Sequence, residues 1–310
     1  MAGHQGSIAI LMALYNGERH LRPQLDSLAA QSRKDWVLLI GDDGSTDASP
    51  QIVRDFASAC APGQVQIHQG PGEGPAANFR HLINQIPDRA EYAAFCDQDD
   101  VWLPDKLARA GQALAHAGEG PAIWCSRVTI CAADLTPIAL TPGLRHAPGF
   151  RNALIQNIVI GHTLMLNRAA CDLVREAESE AGPIAMHDWW IYQLVTGAGG
   201  RVLWEDHPST LYRQHGGNQV GASRGPRKAV AALRRMVSGE QRSWNQMNLA
   251  ALLASAHRLT PDNRLVLSQF AGLHAPRALL RLAALRQGGF RRQSRMAQAA
   301  LWLGAAFGWV

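Results

Sequence analysis

The chain has 310 residues, of which 47% are hydrophobic and 18% charged, and a formal net charge of +5. That length holds one large domain or two modest ones with ample core, and no run of about eighteen apolar residues is present to span a bilayer. Five cysteines (Cys60, Cys96, Cys125, Cys131 and Cys171) form no CxxC pair, which argues for reduced thiols in a cytosolic compartment and against a disulfide framework or a zinc site.

The first residues show no basic stretch followed by an apolar one, so no signal peptide is expected. Ser7–Leu14 is an apolar run of strand length that ends in a turn, Tyr15-Asn16-Gly17-Glu18. Leu21, Leu25 and Leu28 then recur at helical spacing, with Pro23 early enough to be tolerated. A second strand, 36–40, breaks into Gly41-Asp42-Asp43-Gly44-Ser45-Thr46-Asp47, and Ile52, Val53 and Phe56 mark the buried face of the next helix. The Asp42-Asp43-Gly44-Ser45 segment by itself suits a plain turn and helix cap as well as a ligand site. A short strand, 65–68, leads through a Gly/Pro loop, 70–75, to a helix carrying Asn78, Phe79, Leu82 and Ile83. That loop has neither a GxGxxG fingerprint nor the Lys-Ser/Thr ending of a P-loop, so its phosphate-binding signal is weak. Strands alternating with helices predict a mostly parallel sheet covered by helices.

The next stretch, Tyr92-Ala93-Ala94-Phe95-Cys96-Asp97-Gln98-Asp99-Asp100-Val101-Trp102, reads as a strand buried on both faces that runs into three carboxylates. Asp97 and Asp99 alternate with Gln98, so an extended backbone points both the same way. Two like charges at the exit of a core strand repel unless something positive sits between them. Mg²⁺ suits that place, because it takes one or two carboxylates together with phosphate oxygens. The plainer reading is a cap for the following helix, with Pro104 in its first turn, but three Asp exceed what a cap requires. Tyr15 to Glu18, Asp42 to Asp47 and Asp97 to Asp100 all fall at strand carboxyl ends, where ligands sit in such sheets.

In this order, YNGE at 15–18, DDGSTD at 42–47, Asn78-Phe79 and FCDQDDVWLPDK at 95–106 resemble a family 2 glycosyltransferase with the GT-A fold. The likeness is nearest to the bacterial rhamnosyltransferase-like branch and spans roughly residues 7–223. It implies that Asp43 contacts the nucleotide base, that Tyr15 and Glu18 line the same pocket, and that Asn78 belongs to the nucleotide-sugar site. Asp97-Gln98-Asp99 matches the DXD motif, which implies binding of the diphosphate and of Mg²⁺ or Mn²⁺, with Asp99 the direct ligand.

A strand over 122–129 follows, Pro137, Pro142 and Pro148 break up the chain, a short helix is predicted over 151–160, and Gly161-His162-Thr163 opens a strand to Asn167. Met186-His187-Asp188-Trp189-Trp190 opens an apolar helix to Thr196. An Asp beside two tryptophans at a helix start suits either a cap favoured by the helix dipole or a carboxylate in an apolar cleft that takes a proton. The resemblance implies the second and makes Asp188 the general base. The commoner family pattern has an acidic pair there, and this chain has His187 in the first place. Leu211 to Asn218 closes the region. A lone His is more often structural than a ligand, but the YRQH pattern implies that His215 reaches the metal or diphosphate from a mobile loop. Arg213 is expected to help neutralise the phosphates.

From Arg224 onward 14 Arg and Lys face 2 acidic residues, a balance of +12, whereas residues 1–223 carry −7. With the Gly-, Ser- and Pro-containing stretch 216–226 this sets two regions, 1–223 and 224–310. Leu279, Leu280, Leu282 and Leu285 recur at helical spacing, and 299–310 is free of charge and includes Trp302, Phe307 and Trp309. Too short to span a bilayer, this end is expected to lie in the interface of an anionic membrane. The enzyme is then cytoplasmic and peripheral on the inner face of the plasma membrane. The plain alternative is a helical subdomain that packs its leucines.

These readings converge on an inverting, metal-dependent sugar transfer to a hydroxyl of a cell-surface glycan or lipid-linked saccharide, and the resemblance alone implies rhamnose, from dTDP-rhamnose, as the favoured sugar, with a UDP-sugar open. A DxD phosphatase or phosphotransferase expects Thr or Val shortly after its second Asp, which Asp100-Val101-Trp102 fits poorly. A nucleic-acid-binding protein is suggested by the basic tail, but few aromatics interleave with its arginines, so no nucleic-acid partner is expected.

Overall fold

A computed structural model describes residues 7–214 and 238–310. The chain divides into two compact units, each made of three segments. The first comprises Met1–Pro142, Val159–Arg175 and Arg201–Asn218, and the second Gly143–Ile158, Glu176–Gly200 and Gln219–Val310. The boundary expected at 216–226 lies outside the described residues.

The first unit opens with β1 (Ser7–Leu14), α1 (Glu18–Ala29), β2 (Trp36–Asp42), α2 (Ser49–Ser58), β3 (Val65–Gln69), α3 (Pro75–Ile83) and β4 (Ala90–Cys96). It continues with β5 (Val101–Trp102), α4 (Lys106–Ala115), β6 (Ala122–Ser126), β7 (Thr129–Cys131) and β8 (Pro137–Leu140). A seven-stranded sheet has the order β10-β6-β9-β4-β1-β2-β3, with β9 at Met165–Asn167 and β10 at Arg201–Glu205. β1 pairs parallel with both β2 and β4, while β9 runs antiparallel between β4 and β6. Ile8 to Met12 are fully buried. A strand covered on both faces by helices needs apolar residues at every position, which is why β1 and β4 read as continuous runs. β5, β11 (Thr210–Arg213), β7 and β8 form a second sheet, in that order.

Three expectations are corrected. The apolar run 122–129 is two strands in two different sheets, because Arg127 and Val128 leave the first sheet before Thr129 enters the second. Pro137 begins a strand rather than only breaking the chain; β8 is at the sheet edge, where a missing N–H costs no ladder bond. Gly161–Thr163 is a short 3-10 turn, so the strand predicted from Gly161 starts at Met165. The five cysteines are free thiols.

In the second unit only Phe150–Ala153 (α5) of the predicted 151–160 helix is helical. α6 (Arg168–Ala181) begins in the first unit and ends in the second, where α7 (His187–Gly197) follows. The Trp189 indole N–H donates to the Ala153 carbonyl (2.6 Å), and the Tyr192 hydroxyl bonds Gly149 N and Asn152 Oδ1, both at 3.0 Å. Among the described residues four α-helices follow: α8 (Glu240–Ala254), α9 (Pro261–Ala271), α10 (Ala278–Gly288) and α11 (Arg295–Phe307). Thr260 and Ser294 cap α9 and α11 with their hydroxyls. Arg281 donates to the carbonyls of Ala305 and Ala306, tying the start of α10 to the end of α11. Among the described residues no helix is long and apolar enough to cross a membrane.

Candidate active site

β1, β2 and β4 lie side by side and parallel, so their carboxyl ends bring Tyr15, Asp42 and Asp97 to one rim of the sheet. The Gln98 side chain clamps the first of these segments. Its Oε1 accepts from Tyr15 N (2.8 Å) and its Nε2 donates to Tyr15 O (3.0 Å), as a neighbouring strand would. A Cβ at Gly17 would stand 2.8 Å from the Gln98 amide, so the close approach requires glycine there. Tyr15 itself is exposed, its ring free to meet a ligand.

The acidic residues of the first two turns are largely engaged with backbone. Glu18 Oε2 accepts from Ala48 N (2.9 Å) while Asp47 Oδ2 accepts from Glu18 N (3.0 Å), a reciprocal cap that fixes turn against turn. Asp43 accepts from Gly72 N and Gly74 N, both at 3.2 Å, and so shapes the 70–75 loop. Asn78 is fully buried and donates to the Gly41 carbonyl at 2.7 Å. A Cβ at Gly41 would meet Asn78 Oδ1 at 1.9 Å, so this Asn is packed against the strand backbone.

β4 stops at Cys96, and Gln98 and Asp99 form a turn. The alternation that would align Asp97 with Asp99 therefore ends one residue too early. The turn instead brings Asp97 and Asp100 to the same imidazole. His162 Nδ1 is 3.2 Å from Asp97 Oδ2 and 3.0 Å from Asp100 Oδ2. The three side chains form a group able to hold a metal ion, their ligand atoms all within 4.8 Å of one another. The Asp99 side chain is not among them; its carbonyl accepts from Arg213 Nε at 2.9 Å. Arg213 is buried, and its backbone N–H donates to Asp100 Oδ1 (3.0 Å). The pairing of β5 with β11, Thr210 opposite Trp102, sets these residues side by side. His215 lies outside the described residues. No carboxylate of 97–100 caps α4, which Asp105 precedes without a side-chain cap bond.

Burial decides the protonation of this cluster. It pushes the Asp100 carboxyl up to about 7, with His162 opposing the rise. Burial alone would push the His162 imidazolium down, but Asp100 and Asp97 hold it above its ordinary value. Beneath it lies Lys106, 1% exposed, with Nζ 2.5 Å from the His162 carbonyl and 3.3 Å from the centre of the Trp102 ring. Burial pushes that ammonium well below its usual range, with Cys96, Asp100 and Asp97 opposing. Tyr212 covers the other side of His162, ring centres 4.9 Å apart.

Asp188 belongs to the second unit, in the first turn of α7, 9% exposed, with Oδ1 accepting from Trp189 N at 2.7 Å. A nearly buried carboxylate there has the N-terminal helix dipole beside it. Sequence reasoning passed over four residues. Asp100 was counted but given no role, His162 was read as the start of a strand, and neither Gln98 nor Lys106 was assigned one. For Asp100, Gln98 and Lys106 the available signal was position within the Asp-rich stretch; for His162 none existed.

Residues 9–171, more than half of the chain, match the profile of glycosyl transferase family 2. A dTDP-rhamnosyl transferase, RfbG of Shigella flexneri, is 26% identical over 232 residues, covering 68% of this chain and 74% of that protein. Other curated matches, such as GgaA and EpsE of Bacillus subtilis, span only 23% and 36% of the relatives' own lengths. Among solved structures, S. aureus TarS 1–349 in complex with UDP-GlcNAc superposes with a TM-score of 0.59 at 15% identity, over 96% of this chain and 79% of that one. The mannosyltransferase PcManGT from Pyrobaculum calidifontis, in complex with GDP-Man and Mn²⁺, gives 0.53 at 17%, over 99% and 82%. At such identities the superpositions speak to the fold, which is the GT-A arrangement. The chain belongs to glycosyl transferase family 2 and is a glycosyltransferase.

Proposed function

We propose that the protein transfers a sugar, rhamnose favoured, from a nucleoside-diphosphate donor to a hydroxyl of a cell-surface glycan or lipid-linked saccharide, with inversion at C1. The observation that carries this reading is the Asp97-Asp100-His162 group at the carboxyl end of β4, beside the Tyr15 and Asp43 turns. The RfbG relative supports dTDP-rhamnose as donor; the UDP-sugar alternative rests on the TarS complex.

The donor set fits a divalent cation. Two carboxylates and one imidazole suit Mn²⁺ or Mg²⁺. The buried Asp100 Oδ2, though 3.0 Å from His162 Nδ1, makes no hydrogen bond of good geometry, as expected of an oxygen reserved for another partner. When bound, the cation neutralises charge on the departing nucleoside diphosphate. Asp99 and His215 are proposed to complete its ligands, with Arg213 adding positive charge beside the leaving group. Asp43 and Tyr15 are proposed to receive the base, with Glu18 and Asn78 holding the walls of that pocket. Asp188 takes the proton of the acceptor hydroxyl as it attacks C1 from the face opposite the leaving group, so a single displacement inverts the centre.

The acceptor places the enzyme at a membrane surface, where the described residues of the second unit supply a face. Leu279, Met296, Leu303 and Phe307 are 81%, 75%, 58% and 64% exposed. From Asn263 to Val310 there are seven arginines and no acidic residue; Arg281 is buried among carbonyls, which leaves at most the other six to meet a leaflet. Apolar residues among cations suit the interface of an anionic leaflet.

The test is a thermal-shift panel of dTDP, UDP, GDP and CDP with and without Mn²⁺ or Mg²⁺, followed by transfer from the sugar nucleotide that stabilises most. Stabilisation by one nucleotide that vanishes in excess chelator is expected. Full sugar transfer in chelator would overturn the metal's part, and no response to any nucleotide would overturn the donor reading.

A further inference from the structure

An open cleft of about 820 Å³ lies within the second unit, between the segments 145–152 and 289–291. Arg145, Arg151, Arg291 and His146 line it, and no Asp or Glu does. Some arginines elsewhere pair with carboxylates, as Arg33 does with Asp35 (2.8 Å), Arg168 with Asp172 (2.9 Å) and Arg258 with Glu180 (2.6 Å), while others such as Arg281 bond backbone carbonyls. Around the cleft no ion pair forms among the described residues. The Arg151 guanidinium donates to the Gly288 carbonyl, while the side chains of Arg145 and Arg291 make no hydrogen bond there.

The arginines are exposed, but the walls that carry them are held by side-chain bonds to backbone. Gln293 Oε1 accepts from Arg145 N (2.9 Å) and His146 N (3.0 Å), and its Nε2 donates to His146 O (3.0 Å). Asn152 Nδ2 donates to Arg291 O at 2.7 Å, joining the two walls. Three arginines line one cleft with no carboxylate among its lining residues, and a multivalent oxyanion would balance that charge. The planar guanidinium fork matches the oxygens of a phosphate bidentately.

We propose that this cleft is a subsite for a phosphoester group of the acceptor. The inference rests on the glycosyltransferase reading and names the acceptor's chemistry: a saccharide that carries phosphate or diphosphate, lipid-linked or free. The wall of the cleft is bonded to the helix of the proposed base. The Tyr192 hydroxyl of α7 holds both Gly149 and Asn152, and Trp189, next to Asp188, holds Ala153. A phosphate seated among the arginines is thus held by a wall that is itself fastened to α7.

The test titrates inorganic pyrophosphate into ¹⁵N-labelled full-length protein in EDTA, which suppresses metal-dependent binding at the donor site. Saturable shifts are expected at the amides of Arg145, His146, Gly149 and Gly289 and at the Arg145 and Arg291 Nε–H signals. Arg145→Gln and Arg291→Gln should each weaken binding by about tenfold or more, and Arg291→Lys should retain part of it. No shift at these signals, or equal affinity in both Gln variants, overturns the proposal. Glucuronate binding as tightly as pyrophosphate overturns the assignment to phosphate. Arginine-dependent pelleting with phosphatidylglycerol vesicles, without any pyrophosphate response, assigns the cleft to a lipid surface and overturns it as well. The titration needs no nucleotide sugar, so its failure is distinct from a failure of the donor panel.

Discussion

Asp100→Asn separates the stability of the Asp97-Asp100-His162 group from its use. Asp100 is fully buried, and its carboxyl is raised from 3.8 to about 7 by burial, with His162 opposing. A raised carboxyl means that the folded protein binds a proton which the unfolded chain has released, so stability falls as pH rises through the window from about 4 to 7. Taken alone a rise of about three units corresponds to about 4 kcal/mol once pH exceeds 7, an upper bound because ionised Asp100 also favours the buried His162 imidazolium. Asn keeps the acceptor for Arg213 N but cannot ionise, so it removes that loss. In chelator, urea unfolding should show the stability of Asp100→Asn relative to the parent rising between about pH 5 and pH 8, by at most about 4 kcal/mol and by less to the extent that His162 loses its partner. The same substitution removes a charged oxygen from the metal group, so Mn²⁺ affinity by calorimetry should fall at least about tenfold. A stability difference that does not rise with pH in chelator, or a variant that binds Mn²⁺ unchanged, would refute the reasoning.

The Mn²⁺ affinity of the parent should rise between about pH 6 and pH 8, because a cation must displace protons from Asp100 and His162, both held above their ordinary values; a flat calorimetric profile would place the cation elsewhere. Asp188→Asn should leave nucleotide binding intact while turnover falls roughly 10² to 10⁴-fold; loss of donor affinity with an unchanged saturating rate would make Asp188 a binding residue. Gln98→Leu removes both bonds to the Tyr15 backbone and should cost about 1–3 kcal/mol in unfolding experiments while weakening nucleotide binding; unchanged nucleotide affinity would show that the clamp does not shape the pocket. Phe307→Ser with Leu303→Ser should reduce pelleting with anionic vesicles at low salt; equal pelleting would move any membrane contact off α11.

Much of the architecture was legible along the chain. β1, β2 and β4 are apolar at nearly every position because helices cover both faces of the sheet, and the helices between them show their buried stripes at regular spacing. The breaks in these patterns place Tyr15, Asp42 and Asp97 at strand ends, and parallel pairing then carries them to one rim. Leu301, Gly304 and Ala305 of α11 are buried while Leu303 and Phe307 are exposed, a division that an uncharged segment with apolar residues on all sides cannot announce.

By itself the sequence determined the elements from β1 to β4, their parallel arrangement, and that an acidic site lies at the end of β4. Periodicity within one element is a local property, and each of these conclusions needed no more than that. Only the tertiary structure decided which side chains meet. The turn at Gln98 and Asp99 breaks the alternation and gives Asp100, not Asp99, to His162, a residue 65 positions from Asp97. The partner of Asn78 proved to be a strand carbonyl 37 positions away, and the arginines at 145 and 291 share a cleft across half the chain. Such pairs are set by how loops pack over long separations, where burial removes water and makes the choice of partner decisive. No residue pattern within a single segment records that choice.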